Sequence, residues 1–332
     1  MISAADFLSL PYTPDLTRAG IVYACRSLAF TYNRMGGSPF DRLRRIVAGK
    51  AIELAFRRCL TEQGVPHDNL GATPFTEPDH YDIALGGRRC DLKSYLILTK
   101  EEISRLRRDP SRLLSAHALV PADQLMADHL HEHDLYIFAY ITALVAASPG
   151  EMERALKAGQ PTFCVYPLPD EWVRPRSWAS LGSLSIKSDA GQGMLLEAGG
   201  QTGGKIFETE QLFLEPGLRK ELGKDFYSLA YLYTPRTPGG KVGVHSPRLN
   251  RVQMIQPQDW GNIWVYGMQI LLAGFMTVGE FRQKAWLLPA GRRAYPYPKT
   301  RTDNMALPLK ELHPIKELFS ETKKWARARR RV

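Results

Sequence analysis

Apolar and polar positions alternate on either side of Gly86-Gly87, through the stretch Tyr81 to Lys93. A Gly-Gly pair readily supplies the positive φ values of a two-residue turn, so the pattern predicts a β-hairpin. In that register Leu85 faces Arg88, Ala84 faces Arg89, Ile83 faces Cys90 and Asp82 faces Asp91. Successive strand side chains point to opposite faces. Ile83, Leu85, Cys90 and Leu92 therefore share an apolar side, while Asp82, Asp91 and Lys93 share a polar one.

Upstream the period changes. Leu43, Ile46, Val47, Ile52, Leu54, Ala55, Phe56 and Leu60 recur at helical spacing and predict a helix over Phe40 to Gln63, with Glu53 among its apolar positions. Leu16 to Tyr32 predicts an earlier apolar helix, closed by Met35-Gly36-Gly37-Ser38-Pro39. A first strand is expected near Ala72 to Thr76. Thr99-Lys100-Glu101-Glu102 has the form of a capping box opening a helix that ends near Arg108, before Pro110. Leu135 to Ala143 is almost continuously apolar, as in a strand buried on both faces.

After a short helix at Glu151 to Ala158 the character shifts. Gly, Pro, Trp and Tyr become frequent. Short runs at Thr162–Tyr166, Leu181–Lys187, Met194–Glu197, Lys205–Phe213, Phe226–Tyr233, Lys241–His245 and Arg251–Ile255 predict a β-rich domain of sandwich type. Asp259–Ile270 and Leu271–Thr277 read as two further strands, followed by a short helix at Val278–Lys284. This later segment echoes Asp134–Pro169 and is a candidate to rejoin the first sheet, which would make the β-rich part an insertion. Beyond Tyr295 an extended connection leads to a helix over Pro314 to Arg330 with a basic end. The predicted organisation is a core at 1–150, a β-rich domain at 160–300, and a basic helix and tail at 301–332.

Facing aspartates repel, so the polar side of the hairpin calls for a cation. Magnesium suits it, because that ion takes hard oxygen ligands from one or two carboxylates and fills its other positions with water and phosphate. Lys93 would then orient a water or hold charge on the phosphate. Asp-x-Lys alone is a common tripeptide, equally at home on a surface hairpin. The order of parts is more specific: a helix-borne Glu53, then Asp82, a hairpin, and Asp91-Leu92-Lys93 on the next strand. In this respect residues 40 to 145 resemble the PD-(D/E)xK, or restriction-endonuclease-like, nuclease superfamily, with Tyr81 standing where that motif has proline. The resemblance implies an α/β fold with a mixed central sheet flanked by helices. It makes Glu53, Asp82 and Asp91 metal ligands, directly or through water, and Lys93 the catalytic lysine. It also implies Mg²⁺ as cofactor with Mn²⁺ as substitute, DNA as the favoured substrate, and a setting in microbial defence, restriction or mobile-element processing. A homo-oligomer or a partner protein of such a system is left open.

Charge and composition narrow the alternatives. The 332-residue chain carries a formal net charge of +10, compatible with a polyanionic partner. Basic residues cluster at Arg42-Leu43-Arg44-Arg45, Arg57-Arg58, Arg88-Arg89, Arg105 to Arg112, Arg292-Arg293 and Lys323 to Arg331. Lys50, Arg57, Arg88 and Arg89 flank the acidic residues and are the candidate phosphate contacts. No apolar run approaches the ~20 residues of a membrane span, and a basic-then-apolar leader pattern is missing at the N-terminus, so a cytoplasmic location is expected. Cys25, Cys59, Cys90 and Cys164 form no Cys-x-x-Cys and read as reduced core residues.

Three motifs are set aside. Gly199 to Lys205 has the spacing of a phosphate-binding loop, but Ile206 replaces its hydroxyl residue and a strand follows, so it reads as a turn. His129, His131 and His133 alternate, as in a metal patch, but such a run is more often an exposed helix end. Trp172, Trp178, Trp260 and Trp264 could stack on bases or sugars, or fill a core. Two rivals to the nuclease therefore stand: a non-catalytic nucleic-acid-binding subunit on the same fold, and a carbohydrate- or protein-binding protein acting through its β-rich half.

Overall fold

The computed structural model describes residues 1–27, 39–68, 81–127, 130–145, 148–158, 163–263 and 266–329. It is a mixed α/β protein in which a strongly apolar sheet supports the candidate site. β1 (Leu8–Leu10) precedes two helices, α1 (Pro14–Ser27) and α2 (Pro39–Glu62). Next come β2 (His67–Asp68), β3 (Ile83–Leu85) and β4 (Arg88–Ile97), then α3 (Lys100–Arg108), β5 (His117–Pro121), α4 (Ala122–Met126) and β6 (Leu135–Leu144).

β2, β3 and β4 form an antiparallel meander, and β6 lies parallel to β4 after the crossover through α3. β6 alternates between two cores. Leu135, Ile137, Ala139, Ile141 and Ala143 face α1 and α2, whereas Tyr136, Phe138 and Tyr140 face α3 and β5. A strand covered on both faces needs an apolar residue at every position, which is why its sequence shows no alternation. On α2, Leu43, Val47, Ile52, Phe56 and Leu60 are fully buried against the sheet.

The next part contains α5 (Pro149–Lys157), β7 (Cys164–Pro167), α6 (Asp170–Val173), β8 (Ser185–Ser188), β9 (Met194–Thr202), β10 (Phe207–Leu214), β11 (Arg219–Glu221), β12 (Phe226–Thr234), β13 (Val242–Ser246), β14 (Arg251–Ile255) and β15 (Gly261–Asn262). Their two sheets run β10-β9-β12-β7-β15 and β11-β8-β13-β14, and residues of both enclose one core around the buried Trp172. Between β9 and β10 the glycine-rich segment is a turn, with Lys205 at φ +58°.

β16 (Tyr266–Thr277) then returns to the first sheet. It pairs antiparallel with β6 and carries β1 on its other side, completing the order β1-β16-β6-β4-β3-β2. It is one strand where the sequence suggested two. α7 (Val278–Lys284) opens on a capping box between Thr277 and Glu280. β17 (Trp286–Leu288) and β18 (Asn304–Pro308) build a small sheet with β5, so the expected extended connection contains a strand. α8 (Ile315–Arg329) closes the chain.

At the start of α3, Thr99 makes no side-chain cap, and Glu102 pairs with Arg105 at 2.6 Å, so the expected capping box does not form. The strand expected near Ala72 to Thr76, together with His129 and Trp264, lies outside the described residues. Trp172 and Trp260 are core residues, while Trp178 is exposed and donates to the Gly203 carbonyl.

α8 sits across the hairpin turn. Gly86 and Gly87 have φ of +58° and +91°. A Cβ at Gly86 would stand 2.8 Å from that of Trp325 and 3.1 Å from the Thr322 carbonyl. Gly86→Ala combines a disfavoured backbone with a steric clash. A loss of about 1–3 kcal/mol is expected, read as a lower denaturant midpoint at unchanged slope; an unshifted midpoint would contradict this packing.

Candidate active site

The site is built where α2 crosses the β3–β4 hairpin. The turn gives the register Leu85↔Arg88, Ala84↔Arg89 and Ile83↔Cys90, and Ile83, Leu85, Cys90 and Leu92 pack into the core beneath α2. Regular pairing stops at Ile83. The Asp82 N–H still donates to the Cys90 carbonyl (3.0 Å), but its carboxylate accepts the N–H of Leu92 at 2.6 Å. That bond draws Asp82 toward Asp91.

On β4, Lys93 extends between two partners. Its Nζ lies 2.6 Å from an Asp91 oxygen and 2.8 Å from Oε1 of Gln124, at the start of α4. The same ammonium stands 5.5 Å from the ring centre of buried Tyr136. Lys93 is only 9% exposed, so these contacts fix where its charge sits. Gln124 and Tyr136 were not among the expected site residues. No spacing rule announces them, since each reaches Lys93 through tertiary structure.

Glu53 is buried on α2 and held by two cations of its own helix. Lys50 Nζ lies 2.8 Å from one oxygen, and Arg57 pairs with the other. Arg57 also donates to the Asp82 carbonyl at 2.6 Å, thereby joining Glu53 to the approach of β3. Lys50 lies over the Tyr23 ring at 4.6 Å.

The other two expected phosphate contacts have different surroundings. Arg89 binds the carboxylate of buried Asp134 through its backbone N–H (2.8 Å), Nε (2.9 Å) and a terminal nitrogen (2.8 Å). Arg88 stacks on Trp325 at 3.8 Å and donates to the His133 carbonyl. These contacts anchor the hairpin to the start of β6 and to α8.

Burial, with the charges of Asp91 and Glu53, pushes the Asp82 carboxyl up to about 7, despite the Leu92 N–H and Lys93. Burial is the larger cause and like charge the second, for Asp91 is itself paired with Lys93 and Glu53 with Lys50 and Arg57. Among the described residues, no group of three His, Cys, Asp or Glu side chains is arranged to hold a metal ion. Glu53 is held by Lys50 and Arg57, and one Asp91 oxygen by Lys93, but Asp82 and Asp91 are hard-oxygen carboxylates of the kind magnesium takes alongside water. The donor set fits such an ion.

The raised Asp82 pKa has a stability signature. An unfolded Asp titrates near ~3.9, so the folded chain keeps a proton that the unfolded chain releases between that pH and about 7. The associated stability is complete below the unfolded value and lost as pH rises through the folded one. In EDTA, Asp82→Asn is expected to gain thermal stability relative to wild type progressively from pH 4 to pH 8. A constant difference across that window would show that Asp82 titrates normally.

No protein-family model matches this chain, and comparisons with curated proteins and with solved structures return no match either.

Proposed function

We propose that this chain is a metal-dependent nuclease that hydrolyses phosphodiester bonds in nucleic acid, DNA by preference, from a restriction-endonuclease-like core. The observation that carries the reading is an Asp82 carboxyl bonded to the Leu92 N–H and feeling the charge of Asp91, with a buried Lys93 anchored by Asp91 and Gln124 on the same strand as Asp91. Support comes from the element order, a helix with Glu53, an antiparallel meander with the aspartates and lysine, a crossover helix and a parallel strand.

Asp82 and Asp91 would hold Mg²⁺, with Glu53 entering through water. Bound there, the ion supplies an acidified water and neutralises charge on the phosphate. The rest falls to the side chains. Lys93, fixed by Asp91 and Gln124, presents a positive charge to a phosphate oxygen or orients the attacking water. Arg57 keeps Glu53 and the Asp82 backbone in register. The β-rich body selects or grips the substrate. Microbial defence, restriction or mobile-element processing is the biological setting consistent with this chemistry.

The decisive experiment is cleavage of supercoiled plasmid and of labelled single- and double-stranded DNA and RNA, with Mg²⁺, Mn²⁺ or EDTA. Metal-dependent cleavage, strongest on DNA, is expected. Absence of cleavage on every substrate, with no metal bound, would refute the catalytic reading.

A further inference from the structure

A second basic site lies at the far end of β5. A cavity of about 350 Å³ opens between the start of β5 and the segment before β18, lined by Arg112, Ser115, His117, Arg293, Ala294 and Tyr295. Among the described residues neither Arg112 nor Arg293 has an ion-pair partner. The surrounding groups leave that charge in place. Glu102 lies beside the Tyr295 hydroxyl; one of its oxygens pairs with Arg105 at 2.6 Å and the other is buried without a hydrogen-bond partner. Ser115 fixes the loop by donating to the Arg112 carbonyl at 2.8 Å.

His117 adds a directional group. Its Nδ1 is buried without a hydrogen-bond partner, and its ring is held edge-on by Trp286 at 5.5 Å. A buried polar atom left unsatisfied is costly. Two guanidinium groups at one small cavity, with the His117 imidazole in its wall, suit a tetrahedral oxyanion.

We propose that this cavity binds a phosphate group, and that the phosphate belongs to the nucleic-acid strand cut at Asp91 and Lys93. The second half rests on the nuclease reading. Its support is the path of β5. Tyr95, two residues beyond Lys93 on β4, exchanges hydrogen bonds with both backbone groups of Leu119. β5 then leads into α4, where Gln124 binds Lys93. His117 and Gln124 thus mark the two ends of one rigid segment. At ~3.3 Å per strand residue it spans roughly 15–20 Å, about five phosphates at ~3.4 Å of duplex axis each. β5 itself is buried between the sites, so it sets their separation, and a strand spanning that distance over the surface would reach both and be held in register by the distal one.

The test uses Asp91→Asn protein in EDTA, so that binding is read without cleavage, with and without the added pair Arg112→Glu and Arg293→Glu. The pair Lys310→Glu and Lys316→Glu, exposed and outside the β-rich body, controls for net charge. Two probes are applied: anisotropy of a labelled DNA oligonucleotide across a salt series, and the thermal shift produced by inorganic phosphate or a free nucleotide. At least a tenfold weaker oligonucleotide affinity is expected for the double variant, with a salt slope shallower by about one. Its phosphate-induced thermal shift should vanish, while the Lys310→Glu and Lys316→Glu control matches the parent. Equal oligonucleotide binding by parent and double variant would overturn assignment to the strand; if the phosphate shift still depended on the arginines, the cavity would serve a free phosphate compound. A phosphate shift that survives in the double variant would overturn the site itself. If the Asp91→Asn parent binds no oligonucleotide, the nuclease reading and the strand assignment fail together, and the phosphate shift alone decides the cavity.

Discussion

Asp91→Asn is expected to lower DNA cleavage by about 10³-fold or more while leaving the protein folded. The substitution keeps the side-chain shape but removes one of two charged oxygen donors, and metal-borne charge stabilisation is worth several kcal/mol, at 1.36 kcal/mol per tenfold. It also removes the anion 2.6 Å from Lys93, leaving that ammonium with Gln124. Lys93→Ala should behave differently. With both aspartates intact it should still bind Mn²⁺, measured by electron paramagnetic resonance, yet lose about 10²–10⁴-fold in cleavage, the range of a positioned proton-transfer or charge-stabilising group. Undiminished cleavage by Asp91→Asn would displace the active centre from the hairpin.

Asp134→Ala should be the most damaging change outside that centre. The carboxylate is 1% exposed and accepts from the Arg89 backbone and guanidinium and from the His131 N–H at 2.8 Å. Its own carbonyl receives the N–H of Val278. Truncation would strand a partly buried guanidinium and two backbone donors, an arrangement that costs about 3–5 kcal/mol. Asp134→Asn keeps the acceptor shape without the charge and should lose less. Equilibrium unfolding in urea would decide, and a loss below about 1 kcal/mol for the alanine variant would mean that water replaces the carboxylate.

The contrast between these two aspartates shows what the sequence discloses. Asp82, Asp91 and Lys93 are legible because a Gly-Gly turn and period-two alternation place them on one face within a dozen residues. β6 and α2 are legible for the same reason, their burial being written into local apolar spacing. Asp134 is not legible in this way. It sits in a His/Asp-rich run, and its partner Arg89 lies on another strand. Gln124 is hidden likewise, as a polar residue on a five-residue helix that acquires meaning only when β5 docks on Tyr95. Arg88 and Arg89 suggested phosphate contacts because charge is visible in sequence, whereas Trp325 and Asp134, which engage them, are remote. The pairing of β5 with β18 likewise depends on contacts far apart in the chain.

The return of β16 to β6 has a topological consequence. Leu144 and Tyr266 are register partners, so the chain leaves the first sheet and re-enters it through adjacent backbones, ~5 Å apart. Everything between them occupies the place of a hairpin loop. Entropy makes that arrangement tolerant, because each doubling of a loop costs only ~0.6 kcal/mol. The intervening β-rich body could thus be exchanged, enlarged or shortened over evolutionary time while the sheet kept its strand order. The packing of the helices limits this freedom: Phe163, Val165, Ala230 and Tyr231 of the insertion share the core of α1 and α2, Phe40 lies against Gly261, and Arg44 donates to the Asn262 carbonyl at 2.8 Å. Any replacement module would have to reproduce that small glycine-containing edge to seat the helix that carries Glu53.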